Sequence, residues 1–66
     1  MKLWVNGEPA EINGPLNVED LAKHYGLQKN SVLIEHNAVA LHQREWTERP
    51  LAEGDRIEFV RVVAGG

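Results

Sequence analysis

One helix signal stands among several strand signals, and that imbalance constrains the fold of this chain more than any other feature. Asn17 is placed to cap a helix, with Glu19 and Asp20 in the first turn, where the helix dipole favours acids. Val18, Leu21, Ala22 and Tyr25 follow the spacing of a single apolar helix face, and Gly26 sits where a left-handed C-cap is wanted. The predicted helix has about two turns, too few to persist alone, so it must dock on a sheet. Before it, Leu3-Trp4-Val5 runs into an Asn6-Gly7 hairpin turn. The return strand is expected over Glu8 to Ile12, with Pro9 marking a sheet edge or a strand start. After the helix, Val32 to Asn37 reads as a third strand, and a short fourth is predicted within Gln43 to Trp46. Leu51 to Asp55 reads as a turn with Gly54 at the position of unusual φ, and Ile57 to Val63 as the last strand.

One helix covers only one face of a sheet. The economical solution is an α+β fold in which a mixed sheet of four to five strands wraps one main helix, with the last strand beside the first. That is the ubiquitin-like β-grasp. Residues 1–62 are expected to form the globular domain and residues 63–66 a flexible C-terminal Gly-Gly tail. With 66 residues, the chain has room for one small core and a stability of a few kcal/mol.

Composition removes several function classes. The absence of cysteine excludes disulfide staples, thiolate zinc sites and cysteine nucleophiles. A net charge of −3 argues against nucleic acid as a partner and favours a basic protein surface. No apolar run is long enough for a membrane span, and the N-terminal apolar stretch breaks too soon for a signal peptide, so a cytoplasmic location is expected. His24, His36 and His42 lack metal-ligand spacing, and Asn13-Gly14-Pro15 lacks the Lys-Ser/Thr of a phosphate loop. No metal, no cofactor bound by the chain itself and no internal active site are therefore expected. Glu45, Glu48, Glu53, Asp55 and Glu58 crowd the C-terminal third, either as a solvated face or as an acidic docking patch. Trp4 and Trp46 are expected to be partly buried with their indole N–H groups satisfied.

The sequence closes on Ala64-Gly65-Gly66, a terminal carboxylate on a tip without side chains. Such a tip passes through a channel too narrow for any other residue. Period-2 alternation puts Ile57 and Phe59 on the helix side with Leu3, Val5, Leu21 and Ile34. It puts Glu58, Val60 and Val62 on the open face, leading directly to the tail. The four residues from Val63 to Gly66 reach about 13 Å when extended. Gly66 is therefore the candidate for chemistry at its carboxylate, and Gly65 the residue that must thread the channel. Glu58, Val60, Val62, Val63 and Ala64 are the candidates for partner contact.

Taken together, the chain resembles the ThiS family of sulfur-carrier proteins. The resemblance rests on Val5-Asn6-Gly7-Glu8, Asn37, Trp46, Leu51 followed by Gly54-Asp55, Ile57-Glu58 and Gly65-Gly66. The Leu-x-x-Gly-Asp turn and the Gly-Gly end are shared with MoaD, the small subunit of molybdopterin synthase. MoaD-like chains usually carry prolines before the Gly-Gly, where Arg61-Val62-Val63-Ala64 stands here. Ala38 departs from the glycine that often follows the Asn in ThiS-like chains. The resemblance implies that an E1-like adenylating enzyme, ThiF, uses Mg-ATP to turn the Gly66 carboxylate into an acyl-adenylate. Sulfur drawn from cysteine by a desulfurase then displaces AMP. The resulting thiocarboxylate serves thiazole synthase, ThiG, in making the thiazole of thiamin. It implies a monomeric carrier that forms hetero-complexes and is not itself an enzyme. Two alternatives remain open at this point: a MoaD-like carrier for molybdopterin, and a non-covalent TGS-like binding module that works without Gly65-Gly66 and has a basic face.

Overall fold

The computed structural model describes residues 1–62. Five strands and one α-helix follow in the order β1 (Lys2–Val5), β2 (Glu8–Glu11), α1 (Val18–His24), β3 (Val32–His36), β4 (Val39–Leu41) and β5 (Arg56–Arg61). They form one mixed sheet in the order β2-β1-β5-β3-β4, with β5 parallel to β1 and antiparallel to β3. The last strand thus fills the middle of the sheet, between the first and the third.

Local chemistry explains each boundary. Asn6 and Gly7 both take positive φ, 51° and 82°, and close the β1–β2 hairpin through a two-residue turn whose twist suits the flanking strands. Helix α1 starts where the Asn17 side chain accepts a 2.8 Å hydrogen bond from Asp20 N–H. It ends in a Schellman arrangement. Gly26 N–H reaches Lys23 C=O, Leu27 N–H reaches Ala22 C=O, and Gly26 takes a φ of 68° that costs it no Cβ clash. Tyr25, expected on the apolar helix face, is instead the C-cap. It is largely exposed and turns its ring edge-on to Phe59.

The core lies between α1 and the sheet. It consists of Leu3, Ile12, Val18, Leu21, Ala22, Val32, Ile34, Leu41, Trp46 and Ile57, with Val5, Leu27 and Phe59 packed at its margin. Each fully buried Leu, Ile or Val contributes about 1.5–3 kcal/mol relative to exposure.

The expected fourth strand over Gln43 to Trp46 is not there. The return strand is β4, immediately after an Asn37-Ala38 turn, and Gln43–Glu48 form a 3-10 helix packed beside α1. Trp46 belongs to that helix and is only 1% exposed. Its indole Nε1 has no hydrogen-bond partner among the described residues, which corrects the expectation of a satisfied, partly buried ring. Trp4 is the exposed tryptophan, at 36%, with the Lys2 ammonium 4.8 Å from its ring centre.

The Asn37-Ala38 turn carries a local cost. Both residues have positive φ, 50° and 69°, and an alanine in the left-handed region is disfavoured by about 1–2 kcal/mol. Ala38→Gly is expected to relieve most of that strain, less the extra chain entropy that glycine gives the unfolded state. The net gain should be about 0.5 kcal/mol, or about 2–4 °C in Tm. Thermal unfolding by circular dichroism checks it; an unchanged or lower Tm would show the turn unstrained.

Candidate functional site

The candidate site is the open face of the sheet around β5, because this strand leads directly into the C-terminal residues. Side chains alternate along β5. Ile57 is fully buried and Phe59 partly so, while Arg56, Glu58 and Val60 are exposed on the other side. Val60 and Val62 are 48% and 47% exposed, on the face that alternation predicts. Val63, Ala64, Gly65 and Gly66 lie outside the described residues.

Two further residues of this face were not singled out from the sequence. Leu33 lies directly opposite Val60 across the β3–β5 ladder and is 59% exposed. Glu35 lies directly opposite Glu58 in the same ladder. The sequence signal was available, because Val32 and Ile34 alternate with Leu33 and Glu35. The run Val32-Leu33-Ile34 is apolar throughout, however, and hides which members face outwards. Leu33, Val60 and Val62 together make an apolar strip.

Backbone and side-chain bonds fix β5 at both ends. β1 pairs with β5 only through Trp4–Arg56 and Val5–Ile57. Beyond that point the Asn6 side chain takes over the role of a strand. Its Oδ1 accepts from Phe59 N–H at 2.8 Å, while its own N–H donates to Ile57 C=O. At the other end, Asn37 Oδ1 accepts from Arg56 N–H at 2.9 Å and Asn37 N–H donates to Arg56 C=O. Val62 N–H donates to Ser31 C=O at 2.9 Å, so the strand's exit stays tied to β3.

A buried polar node anchors the turn before β5. His36 Nε2 and Asp55 Oδ2 are 2.7 Å apart, and Arg49 Nε–H donates to His36 Nδ1 at 3.1 Å. Because Nδ1 is the acceptor, the ring proton sits on Nε2 and points at Asp55. Asp55 also accepts from Asn37 Nδ2 and from Ala52 N–H. Burial is the largest single influence on Asp55 and disfavours its charge. The donors from His36, Asn37 and Ala52 together outweigh it and hold the carboxyl below the usual carboxylate range.

This node also dissolves the suggested acidic patch. Asp55 is committed to His36, Glu53 accepts from Lys2 N–H, and Glu45 accepts from His42 N–H. Of the crowded acids, Glu58 is the one on the β5 face. Among the described residues there is no cluster of potential metal ligands, and no helix is long and apolar enough to cross a membrane.

A five-stranded mixed sheet folded over one helix, with an apolar face leading to a Gly-Gly end, defines the β-grasp class of small protein modifiers and carriers. The ThiS family model matches residues 3–66. A sulfur carrier protein ThiS from Thermus thermophilus is 31% identical over 97% of this chain and 98% of its own length. The crystal structure of the thiamine biosynthesis protein ThiS from Geobacter metallireducens superposes with a TM-score of 0.84 at 32% identity, covering both chains completely. A thiazole synthase from Paramagnetospirillum magneticum is 29% identical over the whole of this chain, which spans 20% of that longer protein. The chain belongs to the ThiS family, and with it to the small sulfur carriers of thiamin biosynthesis, which are not catalysts.

The node makes a testable statement about acid stability. A depressed carboxyl contributes stability that is fully present above the ordinary aspartate value, about 3.9, and that is lost as pH falls through the lower folded value. Asp55→Asn is expected to lower stability at pH 7 by about 1.5–3 kcal/mol, the worth of a charge-assisted hydrogen bond. In urea titrations the gap between wild type and variant should narrow as pH falls below about 4. A gap independent of pH would mean that Asp55 acts through shape alone.

Proposed function

We propose that the terminal carboxylate of Gly66 is the working group of this carrier. An adenylating enzyme of the ThiF type joins it to AMP from Mg-ATP with release of pyrophosphate. A sulfur nucleophile derived from cysteine then displaces AMP and leaves a thiocarboxylate. Thiazole synthase takes the sulfur, and the carboxylate is restored. The chemistry needs a partner because a carboxylate is a poor electrophile until one oxygen becomes a good leaving group. It also needs a dry, charge-stabilising site that this small domain lacks among its described residues.

The observation that carries this reading is the exposed strip of Leu33, Val60 and Val62, which runs along the sheet towards the Gly-Gly end of a ThiS-family chain. A partner that grips the strip has the terminus within reach. The thiazole synthases that include a segment similar to this whole chain support that enzyme as the recipient.

Incubation with a ThiF-type enzyme, Mg-ATP and a sulfur source is expected to raise the intact mass by the difference between sulfur and oxygen. Gly66→Ala should keep the wild-type Tm and show no such shift. A wild-type chain that stays unmodified, under conditions that convert a control carrier, would sink the reading. Val60→Asp should weaken binding to the adenylating enzyme about tenfold. As a surface change it should move stability by no more than about 0.5 kcal/mol. Isothermal titration and thermal melts read the two effects, and a collapse in Tm would mean that Val60 belongs to the core.

A further inference from the structure

The dipeptide Asn-Gly occurs twice in the chain, at Asn6-Gly7 and at Asn13-Gly14. Asparagine is among the thermolabile side chains, and a following glycine leaves its peptide nitrogen unshielded beside the carboxamide. That nitrogen can attack the carboxamide carbon and close a five-membered imide. The glycine N–asparagine Cγ bond forms, the Cγ–Nδ2 bond breaks, and ammonia leaves with the peptide proton. Water then opens the ring at either carbonyl and leaves aspartate or isoaspartate. At both glycines an added Cβ would meet nothing within 4 Å, so crowding does not separate the two sites. Hydrogen bonding does.

The Asn6 carboxamide is held. Its Oδ1 accepts from Phe59 N–H at 2.8 Å, its backbone N–H donates to Ile57 C=O at 2.9 Å, and its φ of 51° belongs to the two-residue turn between β1 and β2. Swinging Cγ over the Gly7 nitrogen breaks the Phe59 bond and opens that turn. Asn13 has none of these restraints. It is exposed in the connection between β2 and α1, and its backbone lies outside the left-handed region. Its side chain makes one contact among the described residues, 3.4 Å from Oδ1 to the Met1 nitrogen, longer than an ordinary hydrogen bond. The attacking group, Gly14 N–H, has no hydrogen-bond partner among the described residues.

We infer that Asn13 is a site of spontaneous deamidation in the folded protein, and that the fold guards the identical dipeptide at Asn6. Isoaspartate at Asn13 adds a methylene to a connection outside the strand ladder. At Asn6 the same methylene would displace the oxygen that caps Phe59 N–H and lengthen a tight turn, loosening the strand that leads to the Gly-Gly end. Conversion of Asn6 is therefore confined to molecules that have opened.

The full-length chain, folded or in urea, is aged in warm, mildly alkaline buffer, which speeds loss of the peptide proton. Cleavage after Glu11 puts the two dipeptides on separate peptides, and fragmentation assigns the change within each. In the folded chain the Asn13 peptide should gain the mass difference between OH and NH2. The Asn6 peptide should react about tenfold more slowly, since one hydrogen bond must break and the turn must open. In urea the two should react at comparable rates. Asn13→Ser should keep the wild-type Tm and lose the folded-state change. Folded samples converted at Asn13 should also keep their Tm, whereas chains aged in urea and refolded should melt lower in proportion to the Asn6 converted. An Asn13 peptide that keeps its mass in the folded chain would overturn the site. Equal rates at the two sites in the folded chain, or an unchanged Tm after conversion of Asn6, would overturn the guarding.

Discussion

The structure depends on one strand being held in the middle of the sheet. β5 is the last element of the chain, yet it lies between β1 and β3, and both halves of the sheet hang on it. Its neighbour β1 is too short to satisfy it alone, and Asn6 extends that side while Asn37 extends the pairing with β3. Asn6 and Asn37 each sit at the first position of a tight turn with positive φ, and each turns its side-chain oxygen onto a β5 amide. Asparagine suits this double duty. It tolerates the left-handed region better than most residues, and its short amide mimics a backbone carbonyl. The hairpin turns thereby also fix the strand that carries the candidate site.

The polar node beneath the Asn37 turn adds direction to that support. His36 ends β3, Asn37 follows it in the turn, and Arg49 and Asp55 come from the long connection, so stretches far apart in sequence meet at one node. A half-buried charge of this kind is costly unless its acceptor sites are filled. Here backbone and side-chain donors fill them, which is why ionisation survives the loss of water. The arrangement specifies where β5 begins. A slip of one residue would carry Ile57 out of the core and Glu58 into it.

Much of this was legible in the sequence, for physical reasons that differ from part to part. The Asn6-Gly7 turn, the Asn17 cap, the Gly26 stop and the alternation of β5 are local signals, and the structure places them as expected. The return strand β4 was missed because its turn is Asn-Ala instead of Asn-Gly. The alanine hides a left-handed position behind a residue that does not advertise it. Trp46 then drew the strand assignment towards itself, although its burial comes from a 3-10 helix packed beside α1. Tyr25 fits the helix period but falls one residue past the last helical turn, where capping decides its direction. On the candidate face, Val60 and Val62 were visible because Ile57 and Phe59 mark the buried set of the alternation. Leu33 and Glu35 were not, because the run Val32-Leu33-Ile34 is apolar throughout and masks its own alternation.

Rigid support up to Val62 has a geometric consequence for any partner. Val62 is still bonded to Ser31, so the apolar strip and the end of the strand belong to one hydrogen-bonded unit. Four residues, Val63 to Gly66, separate that point from the terminal carboxylate and span at most about 14 Å when fully extended. On the proposed reading, a partner that covers Leu33 and Val60 would have its reacting centre within that radius of Val62. Side chains at Gly65 or Gly66 would add width without adding reach. Lengthening the tail would cost little loop entropy, because that cost grows only slowly with length. It would, however, release the registration between docking face and active site. On the proposed reading, a short glycine end would set the reach of the carboxylate as well as its width, and the bonds that place β5 would fix the point from which that reach is measured.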